Sequence, residues 1–313
     1  MPEISERIET QVYEVDTAGA GRRLDQYLSE CEPELTRSYL QKLIRDGSVL
    51  LEGRPAKAGV KLSQGMKIEL TLPEAKELEI LPEDLPLDIL YEDRDVILVN
   101  KPKGMVVHPS AGHHTGTLVN ALLFHCQGEL SGINGILRPG IVHRIDRDTT
   151  GVLIACKNDR AHNALAGQLK EHTITRRYRA LVCGNLKEDE GTVDAPIGRH
   201  PVERKKMAVV RSGGKQAVTH YRVLERFGAY TYIECRLETG RTHQIRVHMA
   251  SIGHPLLGDE VYGRGKNPFH LEGQTLHAMV LGFVHPSTGE YMEFEAPLPE
   301  YFEELLRKLR RTV

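Results

Sequence analysis

The sequence predicts an α+β protein: a mixed, mainly antiparallel sheet domain preceded by a small α/β domain. Three observations lead there. Beyond residue 88 strand-like segments are many and helix-like ones few, and they are joined by short turns such as Ser287-Thr288-Gly289-Glu290. Parallel neighbours would need crossovers of a dozen residues or more. The run from Leu72 to Asp88, LPEAKELEILPEDLPLD, is rich in Pro and Glu and breaks helical and strand periodicity alike, as a linker or domain edge does. At 313 residues the chain has room for two domains. The boundary is therefore expected near residue 80, giving 1–80 and 81–313.

In the smaller segment, Arg22-Arg23-Leu24-Asp25-Gln26-Tyr27-Leu28 opens with helical spacing. Thr36 is a candidate cap for a helix from Arg37 to Asp46, and Gly47 ends it. Leu40, Leu43 and Ile44 make that helix's apolar stripe, while Arg37, Gln41 and Arg45, four apart, share another face. Spacing alone reads that face either as solvated surface or as a contact for a polyanion. Strands Val49 to Leu51 and Lys67 to Thr71 follow, with turns at Glu52-Gly53 and Gln64-Gly65. Between residues 22 and 70, 9 basic residues against 7 acidic leave the segment weakly basic.

Past the linker, the pattern predicts strands at Val96 to Val99, Ile141 to Ile145, Val152 to Cys156 and Tyr178 to Val182. Further strands are expected at Val218 to Val223, Tyr230 to Leu237 and Tyr291 to Phe294. Asn158 caps a helix from Arg160 to Glu171 that turns Ala161, Ala164, Leu165 and Leu169 inward, and a helix from Leu298 to Arg310 closes the chain. Thr242 is a candidate cap for another helix, with Ile245, Met249 and Ile252 inward and Gly253 as its stop.

The net charge of -2 would describe a poor polyanion binder if charge were spread evenly. It is not. Between Arg138 and Met249, 21 basic residues stand against 12 acidic ones, so the rest of the chain is strongly acidic. Arg176-Arg177-Tyr178-Arg179, Arg204-Lys205-Lys206 and the run Arg241 to Arg246 suit phosphate contacts. Taken alone, Arg204-Lys205-Lys206 also fits a solubilised sheet edge. Aromatics are 5% with no Trp, which argues against a surface of many stacking platforms and rests any stacking on one or two rings. Five scattered cysteines without a C-x-x-C pair support neither a zinc ribbon nor a disulfide framework. The acidic start and the absence of an 18-residue apolar run predict a cytoplasmic chain without a membrane anchor.

The densest chemistry lies in Arg138-Pro139-Gly140-Ile141-Val142-His143-Arg144-Ile145-Asp146-Arg147-Asp148-Thr149-Thr150-Gly151. If Ile141 to Ile145 is a strand, alternation puts Val142, Arg144 and Asp146 on one face, at the end of an apolar segment. A carboxylate there is costly unless paired. Local pattern leaves two readings of Asp146, a structural cap of the Asp148 to Gly151 turn and a reactive group. In the second run, Leu237 to Met249, Arg241 falls at a helix N-terminus, where the dipole disfavours a cation, so an acidic partner is expected.

Together these runs resemble a known family. His143 to Gly151, Arg177-Tyr178-Arg179-Ala180-Leu181 and Thr239 to Arg246 are similar to the three signature motifs of the ribosomal large-subunit pseudouridine synthases of the A/D family, the D subtype most of all. Tyr91-Glu92-Asp93 with Val99-Asn100-Lys101-Pro102-Lys103-Gly104 resembles that family's opening segment, and Gly21 to Thr71 resembles an S4-type RNA-binding domain. The likeness spans nearly the whole chain with the motifs in family order. Ile145 stands where many members carry Leu, and Thr150 where many carry Ser; both changes are conservative.

The resemblance implies the pseudouridine synthase fold and isomerisation of uridine to pseudouridine in large-subunit (23S-type) ribosomal RNA, at the stem-loop called helix 69. That reaction needs no redox step, which agrees with a sequence lacking nucleotide and metal motifs, so no cofactor and no metal are expected. Asp146 is implied as the essential carboxylate, either nucleophile or base. Arg241 is implied as its partner, Tyr178 as the ring over the target base, and Arg144 as the residue inserted where the base flips out. Arg177 and Arg246, with Arg37, Gln41 and Arg45 of the S4-like segment, are expected RNA contacts. The expected partner is ribosomal RNA or a pre-ribosomal particle, bound by a monomer. The alternative is a noncatalytic RNA-binding assembly factor. It has no use for a paired Asp facing a polyanion. A metallohydrolase built on His243, His248 and Gly112-His113-His114 ranks last, because these residues lack a ligand motif.

Overall fold

The structure, a computed structural model, describes residues 9–32, 37–72, 80–109, 113–132, 139–203, 206–263 and 267–312. The expected cap Thr36, residues 73–79 of the linker, Gly112, Arg138, Arg204 and Lys205 lie outside the described residues. The chain divides into two units, Met1–Leu78 and Glu79–Val313.

The first unit runs β1 (Glu9–Glu14), α1 (Leu24–Cys31), α2 (Arg37–Arg45), β2 (Val49–Leu51), β3 (Arg54–Pro55) and β4 (Lys67–Leu72). Its strands pair antiparallel in the order β1-β4-β2-β3. Leu24 and Leu28 of α1 and Leu40, Leu43 and Ile44 of α2 bury their stripes against Val49, Ile68 and Leu70. Glu52 and Gly53, at φ +53° and +71°, make the left-handed pair that a tight hairpin needs between β2 and β3.

The shared face of α2 is not simply exposed. Asp25, fully buried, accepts from Arg37 Nη2 at 2.9 Å, Gln41 Nε2 at 2.6 Å and Arg23 Nε at 3.0 Å. Burial opposes ionisation of Asp25, but these donors outweigh it and hold the carboxyl well below its ordinary value. Arg37 and Gln41, expected as RNA contacts, thus tie α2 to α1, whereas Arg45 is exposed.

The second unit contains β5 (Ile89–Glu92), β6 (Val96–Lys101), α3 (Leu118–His125), β7 (Thr150–Cys156), α4 (Asp159–Lys170) and β8 (Thr175–Cys183). It continues with β9 (Glu190–Asp194), β10 (Ile197–Arg199), β11 (Met207–Val209), β12 (Val218–Arg226) and β13 (Tyr230–Leu237). It ends with α5 (Gln244–Ser251), β14 (Leu276–Val284), β15 (Tyr291–Glu295) and α6 (Glu300–Arg310). Nine strands form one sheet, ordered β5-β6-β7-β14-β8-β13-β12-β9 with β15 on β14. Among the described residues the β7–β14 pairing is parallel and the other pairings of this sheet are antiparallel, as the turn lengths predict. Gly151 permits that parallel contact: at φ +109°, a Cβ there would lie 2.1 Å from the Ala278 carbonyl oxygen.

Two local expectations fail. Ile141 to Ile145 is not a strand. On the edge of β7 away from β6, Cys156 N donates to Gly140 O at 2.8 Å, but Ile154 N donates to His143 Nε2 at 3.1 Å. An imidazole stands where the next backbone carbonyl would be, and the ladder stops at the isolated Ile141–Ala155 bridge. The other failure concerns α5. Its cap is His243, in left-handed conformation at φ +56°, rather than Thr242. Gln244 folds back to accept from Arg241 N at 2.9 Å, which displaces the start. Ile245 and Met249 are buried as expected, but Ile252 is exposed. Asn158 does cap α4, accepting from Ala161 N at 2.9 Å.

Candidate active site

Because the chain from Val142 to Asp146 is irregular, five consecutive residues line one cavity, which a strand would forbid. The cavity holds about 310 Å³ and is completed by β8 and by the segment Gly240 to Arg246 at the start of α5. Asp146 sits in its wall, mostly buried.

Its partner is Arg246. Arg246 Nη1 donates to Asp146 Oδ2 at 2.9 Å, while Nε and Nη2 grip Asp259 at 2.7 and 2.9 Å. Asp259, with no exposed side-chain surface, also accepts from the backbone N–H groups of Val261 and Tyr262 at 2.9 and 3.1 Å. Burial disfavours charge on Arg246, yet the two carboxylates raise its pKa above the ordinary value. Burial likewise opposes ionisation of Asp259, and the Arg246 bonds and charge reverse it. One guanidinium between two carboxylates fixes the Asp146 carboxyl in place at the cavity wall.

The pairing expected of Arg241 therefore falls to Arg246, and Arg246 is correspondingly not available as an RNA contact. Arg241 lines the cavity, but its Nε donates to Gln216 O at 2.9 Å. Arg241 precedes α5, whereas Arg246 lies within it and is buried. Arg177 is also redirected. Strand alternation sends it to the face opposite Tyr178, where it pairs with Glu293 at 2.5 Å. Arg144 is exposed at the cavity wall.

Tyr178 is buried against the cavity, and burial pushes its hydroxyl pKa up, with Arg176 opposing, so the phenol stays protonated. His243 Nε2 lies 3.7 Å from Asp146 Oδ1, and its Nδ1 hydrogen-bonds the Tyr262 hydroxyl at 2.8 Å. Burial lowers the His243 pKa against the pull of Asp146. His143 is likewise pushed down to about 3 by burial and by Arg176. The loop after Asp146 is anchored by Lys101, fully buried, whose Nζ donates to Pro102 O, Met105 O and Arg147 O at 2.7, 2.8 and 2.9 Å. Asp259 and Tyr262 were not singled out from sequence, and Arg176 stood there only within the basic run Arg176-Arg177-Tyr178-Arg179, read as suiting phosphate contacts.

Both ring nitrogens of His248 are engaged, by Thr219 Oγ1 and Ala195 O at 2.9 Å each. Among the described residues Asp93, Asp95 and His285 come close enough together to hold a cation. However, His285 Nδ1 accepts from Ser287 N and Thr288 N at 3.3 and 3.2 Å, so its proton sits on Nε2, directed at Asp93 at 2.8 Å. That is a carboxylate–imidazole pair, and none of the three lines the cavity.

Comparison with known proteins fits this geometry. Residues 95–251 match the family described as RNA pseudouridylate synthase, and residues 22–68 match the S4 domain. The uncharacterized RNA pseudouridine synthase YlyB of Bacillus subtilis is 55% identical over 289 residues, covering 92% of this chain and 94% of its own. The chain belongs to the RNA pseudouridylate synthase family. Ribosomal large subunit pseudouridine synthase D of Zymomonas mobilis is 49% identical over 302 residues, 92% of this chain and 94% of its own. Among solved structures, human RNA pseudouridylate synthase domain containing 1 superposes with a TM-score of 0.56 at 27% identity, over 73% of this chain and 96% of that one. As an RNA pseudouridylate synthase this protein is an isomerase, and the α+β fold expected from its turns is the fold of its relatives. No helix among the described residues is long and apolar enough to cross a membrane.

Proposed function

We propose that this synthase modifies large-subunit ribosomal RNA, at the helix 69 stem-loop, with Asp146 as the reacting carboxylate, Arg246 as its partner and Tyr178 over the flipped base. The reading rests chiefly on Asp146, ion-paired at 2.9 Å and facing a cavity that also contains a buried tyrosine. Relatives named large subunit synthase D, such as those of Zymomonas mobilis and Pseudomonas aeruginosa, at 49% and 46% identity, support the choice of RNA.

A uridine inside a stacked loop cannot reach a walled cavity, so the nucleotide turns out of the stack, with Arg144 filling the gap. The N1–C1′ bond then breaks with its electron pair left on the uracil. Asp146 either bonds C1′ or takes the C2′ proton as a C1′–C2′ double bond forms. The ring turns and C5 bonds C1′ as the Asp146–C1′ ester bond breaks or, in the elimination route, as Asp146 returns the proton to C2′; the C5 proton leaves and N1 gains one, so atoms balance without a co-reactant. Since burial keeps Tyr178 protonated, it can take the C5 proton only while passing its own hydroxyl proton on. Tyr178 stacking would be worth about 1 to 3 kcal/mol.

The test is tritium release from a large-subunit transcript carrying 5-tritiated uridine, followed by mapping of the pseudouridines. Wild-type protein should release tritium at helix 69, and Asp146→Asn should bind the transcript and release none. Full turnover by Asp146→Asn would remove Asp146 from the chemistry, and modification elsewhere in the transcript would reassign the substrate.

A further inference from the structure

We infer that Arg176 is a further catalytic group of this site, meeting a uracil carbonyl oxygen and balancing the negative charge the base acquires as N1–C1′ breaks. The inference rests on the uridine chemistry proposed above.

Arg176 and Tyr178 are two apart on β8, so they project from the same face, and both line the cavity. Arg176 is only 7% exposed. Its Nη2 donates to Glu238 O at 3.0 Å, whereas its Nε is buried without a hydrogen-bond partner among the described residues. The other arginine as deeply buried, Arg246, holds two carboxylates; Arg176 has none in ion-pairing range among the described residues. A guanidinium stays charged in a protein, and a buried charge lacking an anion is costly. Burial, and to a lesser degree the nearby Arg241, act against the charge on Arg176, with Tyr178 opposing them.

Gly240 is fitted to the same group. A Cβ at that position would lie 2.6 Å from Arg176 Nη1, so a larger residue would push the guanidinium from its place.

An unfilled donor set next to the stacking ring suits a ligand that becomes anionic during the reaction. When the glycosidic bond breaks, the electron pair left on N1 spreads onto O2 and O4 of the uracil. A donor placed for that charge is stronger in the transition state than in the ground state, which is the condition for accelerating the step. A backbone phosphate carries the same charge throughout, so a contact with it would alter binding alone.

The two roles separate in single-turnover kinetics at saturating RNA, following loss of the nucleoside after digestion, with uridine and 5-fluorouridine substrates. Fluorouracil is the better leaving group and needs less help with its charge. Removing one oxyanion donor typically costs about 100- to 1000-fold in rate. Arg176→Met should slow the uridine reaction on that order, slow the 5-fluorouridine reaction about tenfold or less, and leave RNA affinity within about twofold. Arg176→Lys should recover part of the uridine rate. Gly240→Ala should show the same substrate bias more weakly with Arg176 still present, and its melting temperature reports whether the fold is intact. Equal losses on both substrates, a defect in affinity alone, or an unchanged uridine rate would each overturn the assignment. The choice of ribosomal RNA fails separately, if wild-type protein leaves the large-subunit transcript unmodified. The ratio of variant to wild type is then read on total cellular RNA.

Discussion

Replacing Arg246 by Met removes three hydrogen bonds at once, two to Asp259 at 2.7 and 2.9 Å and one to Asp146 at 2.9 Å. Asp259 is left with no exposed side-chain surface and, among the described residues, only the N–H groups of Val261 and Tyr262 as donors. Breaking a buried pair from one side costs about 3 to 5 kcal/mol, and the two surviving donors place this case near the lower figure. Arg241→Met breaks one bond to a backbone carbonyl at a half-buried site and should cost about 1 kcal/mol or less. Urea unfolding at pH 7 should separate the two variants. The pH dependence carries a sign. In wild type the folded pKa of Asp259 lies below the unfolded value of about 3.9, so its stabilisation is full above that value and is lost as pH falls through the folded pKa. Without Arg246, burial dominates and the folded pKa should exceed the unfolded one, so the deficit of Arg246→Met should shrink between pH 7 and pH 4. Arg246→Met with Asp259→Leu should regain much of the stability and none of the tritium release, because Asp146 still lacks its partner. Equal costs for Arg241→Met and Arg246→Met, or a cost below about 1 kcal/mol for the latter, would refute the network as the support of the site.

Lys101 gives a second dependence on pH. Burial lowers its pKa to about 7, against an unfolded value of about 10.4, so between these values the unfolded chain binds more protons and stability rises with pH. Relative to Lys101→Met, wild type should gain about 2 kcal/mol between pH 7 and pH 9 in urea unfolding; parallel curves would mean that the ammonium is not buried. Deleting residues 1–80 tests the proposed role of the S4 domain. The remaining chain should retain turnover on a short RNA while losing affinity for the full transcript, and unchanged affinity in filter binding would deny the domain that role.

The strands with clean turns and the Asn158 cap could be read from local chemistry, because each is decided within a few residues. The motifs carrying Asp146 and Tyr178 were equally legible, and they sufficed to place the chain in its family. β14 escaped notice because Leu276–Val284 is buried on almost every side chain and shows no alternation. The segment Ile141 to Ile145 misled for the opposite reason: its apolar run looks like a strand, but His143 takes the hydrogen bond that would have extended the ladder. The partner of Asp146 could not be read locally at all. Arg241 and Arg246 are both arginines in one motif, and the choice depends on Asp259, 13 residues beyond Arg246, while Asp146 itself lies 100 residues before it. Sequence alone determined the chemistry on offer, because side-chain type and local spacing suffice for that. Tertiary structure decided which charges meet, because the desolvation that makes a pairing strong exists only after distant segments have closed over it.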